Sequence, residues 1–273
     1  MGKIKKSKMK ANALQLKKSM VVLSSMVEKN IKNQYRRSVL GIVWTVLNPL
    51  LNMIVMAFVF SSIFGRADIE MDYPVYVLSG TIVFTLMRVS TSESLTCMVD
   101  NYDLLTKTRV PYAVFPVSHT FSSTVNFGFS LIALIIVMLV RIPNGAEFHW
   151  TLFMIVFPWL PSLMLFSLGL SFILSSIYVR FRDIKHIYSV FLTLWTYLTP
   201  IFYTLSTLNL SETSLKIMNL NPMLHYLNYF RSLIMGVVPS LTEHLICYGV
   251  GIFVFAIGLL IFNLSKKKFI LYI

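Results

Sequence analysis

The sequence predicts an all-α integral membrane protein, and three observations carry that prediction. Hydrophobic residues make up 56% of the 273-residue chain and charged residues only 13%, too few to cover the surface of a soluble domain. Six stretches contain almost no charge, and five of them reach the roughly 20 residues that cross a bilayer. Lysine and arginine are concentrated in alternate segments between these stretches, which is typical of cytoplasmic loops.

Six transmembrane helices follow from the uncharged stretches. They cover residues 39–64, 74–98, 115–140, 151–178, 187–204 and 245–265. The second reaches full length only with Arg88 inside it, because its uncharged run ends at Met87. Pro49 lies within the first, where a membrane helix tolerates proline. Residues 16–273 are therefore expected to form one transmembrane domain.

The positions of the basic residues predict that both termini are cytoplasmic. In that orientation 19 of the 24 lysines and arginines lie in cytoplasmic segments and four in outer segments, with Arg88 inside the membrane. The net charge of +13 is concentrated beside the membrane, so we expect anionic lipids and not nucleic acid as its partner.

The N-terminus divides into a basic tail, residues 1–15, and an amphipathic interfacial helix, residues 16–37. Apolar residues recur at helical spacing along this helix, at Leu16, Met20, Leu23, Val27 and Ile31. The helix is either a simple membrane anchor or an element that positions the gate of a transport pathway.

The segment between the fifth and sixth spans, residues 205–243, is too apolar for a solvated loop, yet its uncharged pieces are too short to cross a membrane. Asn221 and Pro222 divide it, and Gly236 and Pro239 close it, so we expect two short helices. They are either surface helices on the outer leaflet or, as we prefer, a re-entrant pair covered by other helices.

The chain has no nucleotide-binding or hydrolase motif, so we expect neither enzymatic activity nor a cofactor or metal in it. If the protein does energy-requiring work, the energy would come from an ion gradient or from a separate subunit. Gradient-driven carriers keep ionisable groups in mid-membrane, and here the candidates reduce to Arg88 and Glu93. Arg88 either extends to the headgroups, pairs with Glu93 or faces a substrate.

Aromatic residues form a further candidate site. Tyr188, Phe191, Trp195 and Phe202 share one face of the fifth span, and Trp44 lies near the start of the first. Such a face either packs against neighbouring helices or stacks on sugar rings, and the second role would suit a glycan conduit.

Two charged connections lie on the predicted cytoplasmic side. Residues 100–111 are expected to hold a short helix that Asp100 caps and Pro111 ends. A charged corner at residues 180–185 follows the fourth span. Each is either a plain solvated loop or a surface that a soluble partner binds.

Three motifs resemble the ABC-2 type permeases that export bacterial cell-surface polysaccharides, namely O-antigen, capsule and wall teichoic acid. They are Tyr-Arg-Arg-Ser-Val-Leu-Gly-Ile-Val-Trp at 35–44 with Asn-Pro-Leu at 48–50, Arg-Phe-Arg-Asp-Ile at 180–184, and Asn-Pro at 221–222. The first motif is the most specific, and the resemblance extends from about residue 16 to the C-terminus.

The resemblance implies a homodimer in the bacterial plasma membrane with two copies of a cytoplasmic ABC ATPase, which would hold ATP and magnesium. It implies an undecaprenyl-diphosphate-linked polysaccharide as substrate, with residues 205–243 as the outer gate. The gate for the diphosphate would be formed by Tyr35, Arg36, Arg37 and Trp44. The ATPase would couple through Asp100, Tyr102, Asp103, Leu104, Leu105, Lys107 and Arg109.

Other functions stay open. An ABC-2 permease for drugs or small lipids would share the spans and the re-entrant segment. A membrane-embedded glycosyltransferase would act on the same lipid carrier, but it needs clustered carboxylates or histidines, and the eleven acidic residues are spread along the chain. A structural scaffold would explain neither the first motif nor the re-entrant segment.

The predicted orientation exposes Asp68, between the first two spans, on the outer side. An Asp68→Cys variant is expected to react with a membrane-impermeant maleimide added to intact cells, measured by a gel shift. A matched Asp183→Cys variant, in the charged corner, should react only after permeabilisation. Labelling of Asp68→Cys only from the cytosol would overturn the orientation.

Overall fold

A computed structural model describes residues 2–35, 40–41, 43–64, 71–107, 110–144, 146–205 and 211–272. The α-helices are α1 (Gly2–Tyr35), α2 (Val43–Phe64), α3 (Tyr73–Asp100), α4 (Tyr102–Lys107), α5 (Val114–Arg141), α6 (Trp159–Tyr178), α7 (Ile184–Leu198), α8 (Glu212–Asn219), α9 (Pro222–Ile234), α10 (Leu241–Ser265) and α11 (Phe269–Tyr272). Short 3₁₀ helices cover Ile142–Asn144, Trp150–Ile155 and Lys266–Lys268. The described ranges contain no strand, which confirms the all-helical prediction.

Four helical segments within those ranges are long and apolar enough to cross a membrane. They are Tyr73–Asp100, Val114–Arg141, Trp150–Tyr178 and Leu241–Ser265, the second, third, fourth and sixth predicted spans. The predicted first span forms α2, an apolar helix that contains Pro49. The chain is therefore a multi-pass, all-helical membrane protein.

The predicted fifth span extended too far along the chain. Helix α7 has 15 residues and ends at Leu198, whereas the prediction ran to residue 204. Thr199 adopts an extended conformation, φ −96° and ψ 129°, because the ring of Pro200 disfavours a helical conformation in the residue before it.

Helix α3 lies at the centre of the fold. Of its 28 residues 17 are buried, and it packs against α2, α5, α6, α7 and α9. Small polar residues on α3 bond to its neighbours: Ser90 Oγ donates to Thr120 Oγ1 on α5 at 2.9 Å. Short hydroxyl side chains allow close packing and still satisfy their hydrogen bonds, which is how helices associate in lipid.

Helices α6 and α10 approach each other most closely where two glycines face one another. A Cβ atom added to Gly258 would overlap the carbonyl oxygen of Gly169, and one added to Gly169 would lie 2.6 Å from the backbone of Val254. Only glycine fits at either position, because the facing atoms belong to backbone that cannot move aside.

The two short helices predicted between the last two spans are present as α8 and α9. The Asn221 side chain caps α9 by accepting a hydrogen bond from Met223 N at 3.1 Å, and Pro222 occupies its first turn. Gly236 follows the end of α9 with φ +79°, a conformation that favours glycine. Nine of the 13 residues of α9 are buried, whereas α8 has no buried residue.

Arg231 on α9 is a buried charged residue. Its guanidinium lies 3.5 Å from the ring centroid of Tyr76. It donates to the carbonyl oxygens of Pro200 at 3.0 Å, Ile201 at 3.2 Å and Tyr76 at 3.3 Å, and to Ser79 Oγ at 3.4 Å. One side chain thereby joins α3, the end of α7 and α9.

The close approach of α6 and α10 predicts a position-specific loss of stability. A Gly258→Ala variant is expected to lower the free energy of unfolding by about 1–3 kcal/mol, because the added methyl group forces the two backbones apart. The midpoint of thermal unfolding in detergent, followed by fluorescence-detected size exclusion, measures this.

Gly249 on the same helix is the matched control for that variant. A Cβ atom there would meet no atom within 4 Å, so Gly249→Ala should be neutral or slightly stabilising. Equal midpoints for the two alanine variants would contradict the assignment of this close contact.

Candidate translocation surface

Two cavities meet at Arg88, near the middle of α3. The first, about 290 Å³, lies among α2, α3 and α5, and Gln34 at the end of α1 borders it. The second, about 610 Å³, lies among α2, α3 and α7. Arg88 and Val89 line both cavities, so the two sides of α3 share one cation.

The first cavity is polar but nearly uncharged. Four side-chain amides and five hydroxyls line it: Gln34, Asn48, Asn52, Asn126, Thr45, Thr81, Thr85, Ser123 and Ser130. Arg88 is the one charged residue among the described residues of the lining. Trp44, predicted as part of a substrate gate, also lines this cavity and is 38% exposed. The cavity therefore offers many hydrogen-bonding groups and a positive charge.

The second cavity combines charged and aromatic residues. Glu93 and Lys185 line it, together with Tyr188, Tyr197 and Phe202. The Tyr188 hydroxyl is buried and donates to Thr91 Oγ1 on α3 at 2.6 Å, which fixes the ring at the cavity wall. This composition gives flat apolar faces beside hydrogen-bonding groups.

The aromatic residues predicted at the fifth span lie partly in helix contacts and partly at the second cavity. Phe191 lies between Tyr188 and Trp195, with centroid distances of 6.2 and 5.1 Å. Trp195 packs edge-on against Phe84 at 6.2 Å, and its indole N–H donates to Asn221 Oδ1 at 2.8 Å. Trp195 is thus a packing residue, whereas Tyr188 and Phe202 border the cavity.

Arg88 and Glu93 do not form the ion pair that was one of the alternatives. The Glu93 carboxylate instead faces His119 Nδ1 on α5 at 3.3 Å, and the Asn30 amide of α1 is 3.5 Å from the same nitrogen. In the described part of the chain the Arg88 guanidinium has neither a carboxylate partner nor a hydrogen bond. Its charge is exposed to the cavities.

Helix α1 docks on α5 through neutral polar side chains. Asn126 Nδ2 donates to Gln34 Oε1 at 2.8 Å, and Asn30 Nδ2 donates to Ser118 Oγ at 3.3 Å. Met26, one turn earlier, is buried on the same side, whereas Met20 of the predicted apolar stripe is 68% exposed. The side of α1 that faces α5 therefore carries Met26, Asn30 and Gln34 at four-residue spacing, and hydropathy alone does not identify that side.

The outward face of α1 carries exposed charges. Glu28 and Lys32 form an ion pair one turn apart, and the Lys32 ammonium lowers the pKa of the Glu28 carboxyl by hydrogen bonding and by its charge. Both side chains are largely exposed, so the pair contributes little to stability.

The predicted coupling segment forms the short helix α4. Leu105 is buried in an apolar cluster that also contains Met26 and Phe269, and Leu104 packs against the same cluster. Tyr102 is 42% exposed, and Asp103 forms an exposed ion pair with Lys107 at 3.1 Å. Helix α4 thus exposes Tyr102, Asp103 and Lys107 on one side and packs its leucine side chains against the apolar cluster on the other.

Asp100 does not act as the predicted cap of α4. Its carboxylate accepts a hydrogen bond from Thr96 Oγ1 inside α3 at 2.6 Å. The carbonyl oxygen of Asn101 accepts from Leu104 N and Leu105 N at the start of α4, and its side-chain oxygen accepts from Lys29 of α1 at 3.3 Å. This junction therefore links α1, α3 and α4.

The corner at residues 180–185 stacks its arginines on tyrosines. The Arg180 guanidinium lies 5.4 Å from the ring centroid of Tyr272, and Arg182 lies 5.1 Å from that of Tyr178. Phe181 between them is 67% exposed.

Four of the predicted site positions lie outside the described part: Arg36, Arg37, Arg109 and the side chain of Tyr35.

Comparison with known proteins places this arrangement in a family. Residues 22–235 match the model of the ABC-2 type transporter family. The O-antigen export system permease protein RfbA of Myxococcus xanthus is 34% identical over 212 residues, covering 78% of this chain and 79% of that protein. Two proteins of the same name from Klebsiella pneumoniae are 28% and 27% identical over 263 residues, covering 96% of this chain and 97% of each.

The family match covers α2 to α9 and the part of α1 that docks on α5, so it includes both cavities and the α4 junction. It agrees with the multi-pass helical fold and with the resemblance found in the first motif. The chain belongs to the ABC-2 type transporter family, as a membrane-spanning permease.

Proposed function

We propose that this chain is the permease subunit of an ABC transporter that exports an undecaprenyl-diphosphate-linked cell-surface polysaccharide across the bacterial plasma membrane. The observation that carries the proposal is the pair of cavities at Arg88, which provide a cation, amides and aromatic faces among membrane helices. Diphosphates are recognised by cations and N–H groups, and sugar rings by aromatic faces. The names of the RfbA relatives agree with this substrate class.

The proposed topology has six spans and two cytoplasmic termini, with α2 as the first span, α7 as the fifth and the pair α8 and α9 re-entering from the outer side. Burial of nine residues of α9 supports the re-entrant assignment, because backbone at membrane depth must be covered by protein. The four long apolar segments supply the remaining spans.

The energy for export is proposed to come from two copies of a cytoplasmic ATPase bound to a homodimer of this chain. The ATPase would hold ATP and magnesium and would bind α4 at Tyr102, Asp103 and Lys107, which are exposed. Because Leu105 fixes α4 to the cluster that contains Met26, a shift of α4 would move α1 as well. ATP binding has to favour one state of the complex for that shift to occur.

The cytoplasmic gate is proposed to consist of Tyr35, Arg36, Arg37 and Trp44. Gln34 and Trp44 both line the first cavity, so the segment that carries the two arginines begins and ends beside it. Arginines there would bind the diphosphate as the lipid-linked glycan enters, by charge-assisted hydrogen bonds.

Complementation tests the proposed function. In a bacterium whose O-antigen export permease gene is deleted, this chain together with its own ATPase is expected to restore surface polysaccharide, measured with an antibody on intact cells. The purified chain alone should not hydrolyse ATP. Drug resistance without surface polysaccharide would favour a drug-exporting permease, and ATP hydrolysis by the isolated chain would contradict the need for a partner.

The gate assignment makes a separate prediction. The double variant Arg36→Ala, Arg37→Ala is expected to reduce export roughly tenfold or more without preventing membrane insertion, because it removes charged hydrogen-bond donors to the diphosphate. The double variant Lys17→Ala, Lys18→Ala removes equal charge earlier on α1 and should leave export near the wild-type rate. Equal export by the two variants would remove the gate role.

A further inference from the structure

Arg88 occupies a position at which a membrane protein rarely keeps a charge without using it. By the helical rise of about 1.5 Å per residue it lies roughly 22 Å from the start of α3 and roughly 18 Å from its end. A charged side chain at such a depth is costly and generally marks a ligand, an ion pair or a transport path. The ion pair is absent, since Glu93 faces His119.

The buried Arg231 shows how a structural cation is held in this fold. The Arg231 guanidinium is satisfied by three carbonyl oxygens, a hydroxyl and the face of Tyr76. Within the described ranges the Arg88 guanidinium has no such partners and faces open cavity on two sides of α3. Five N–H donors in a fixed planar fork are therefore available to a ligand.

The lining of the first cavity selects the charge of that ligand. Among the described lining residues there is no carboxylate, while Asn48 and Asn52 of α2 bring amide donors to the side opposite α3. A cation surrounded by neutral donors favours an oxyanion over a cation or an apolar molecule. Phosphate matches the guanidinium fork in geometry and is the usual anionic group of membrane lipids.

We infer that the cavity bounded by Arg88, Asn48 and Asn52 is a phosphate-binding site for a membrane lipid. The inference rests on the proposed function, because it makes the site the next binding position for a lipid-linked substrate after the gate. Gln34 and Trp44, the described residues on either side of the segment that carries Arg36 and Arg37, both line this cavity.

The test measures ligand binding by the complex of this chain with its ATPase in phosphatidylcholine nanodiscs. The probes are farnesyl diphosphate and farnesol, which differ only in the diphosphate, and dihexanoyl phosphatidylglycerol, a lipid phosphate without an isoprenoid chain. The wild-type complex is expected to bind farnesyl diphosphate at least tenfold more tightly than farnesol. Arg88→Gln should remove that preference, and Arg88→Lys should retain part of it.

Two further variants keep the test decisive. Lys216→Gln removes an exposed charge on α8 that lines neither cavity, so its affinities should equal those of the wild type. Asn52→Ala removes a cavity amide without removing the charge of Arg88, and it should weaken the binding of farnesyl diphosphate several-fold. This variant keeps the test informative if Arg88→Gln fails to fold. If Arg88→Gln also loses phosphatidylglycerol binding, the site accepts any lipid phosphate. If Arg88→Gln keeps phosphatidylglycerol binding, the site requires the isoprenoid chain.

The inference is overturned if the wild-type complex binds farnesyl diphosphate and farnesol equally well. It is also overturned if Arg88→Gln and Asn52→Ala both keep the preference for farnesyl diphosphate. In either case Arg88 simply extends to the lipid headgroups. Such a failure is separate from failure of the proposed function. The wild-type chain could still restore surface polysaccharide in the complementation assay without binding these probes, and absence of export by the wild type would refute the function whatever the probes show.

Discussion

The packing of α3, α9 and the end of α7 depends on the burial of Arg231. A guanidinium carries five N–H donors, and leaving them unpaired in a buried site would cost several kcal/mol. The fold meets that demand with carbonyl oxygens that a regular helix would not offer, those of Pro200 and Ile201 just beyond the end of α7. The interruption of α7, the insertion of α9 and the position of Tyr76 on α3 are therefore one linked arrangement.

That arrangement also shapes the cavity on which the proposed function rests. Because α7 ends at Leu198, the chain turns back and brings Phe202 to the wall of the second cavity, beside Tyr188. Trp195 is fixed by its hydrogen bond to Asn221, the residue that caps α9. Two arginines of this fold thus have opposite surroundings, since Arg231 is enclosed by protein and Arg88 faces open space.

The half of the fold that contains α1 and α4 combines a buried apolar cluster with side-chain hydrogen bonds. Asn30, Gln34 and Lys29 join α1 to its neighbours by side-chain hydrogen bonds of about 1 kcal/mol each, whereas α6 and α10 interlock at Gly169 and Gly258. Because Leu105 and Met26 share the apolar cluster, a shift of α4 would move α1 as well, which suits the proposed role of transmitting motion from an ATPase partner.

The sequence by itself determined the helical class, the membrane location, four candidate spans and the two short helices α8 and α9, of which Asn221 caps the second. Hydropathy, charge and turn residues are local signals, so they can be read along the chain. Only the tertiary structure decided that Arg231 is satisfied by carbonyl oxygens, that Glu93 faces His119, that Trp195 packs and that Arg88 opens onto two cavities. These outcomes depend on which helix faces lie together, because a charged side chain in lipid takes its role from the partners that the neighbouring helices bring to it.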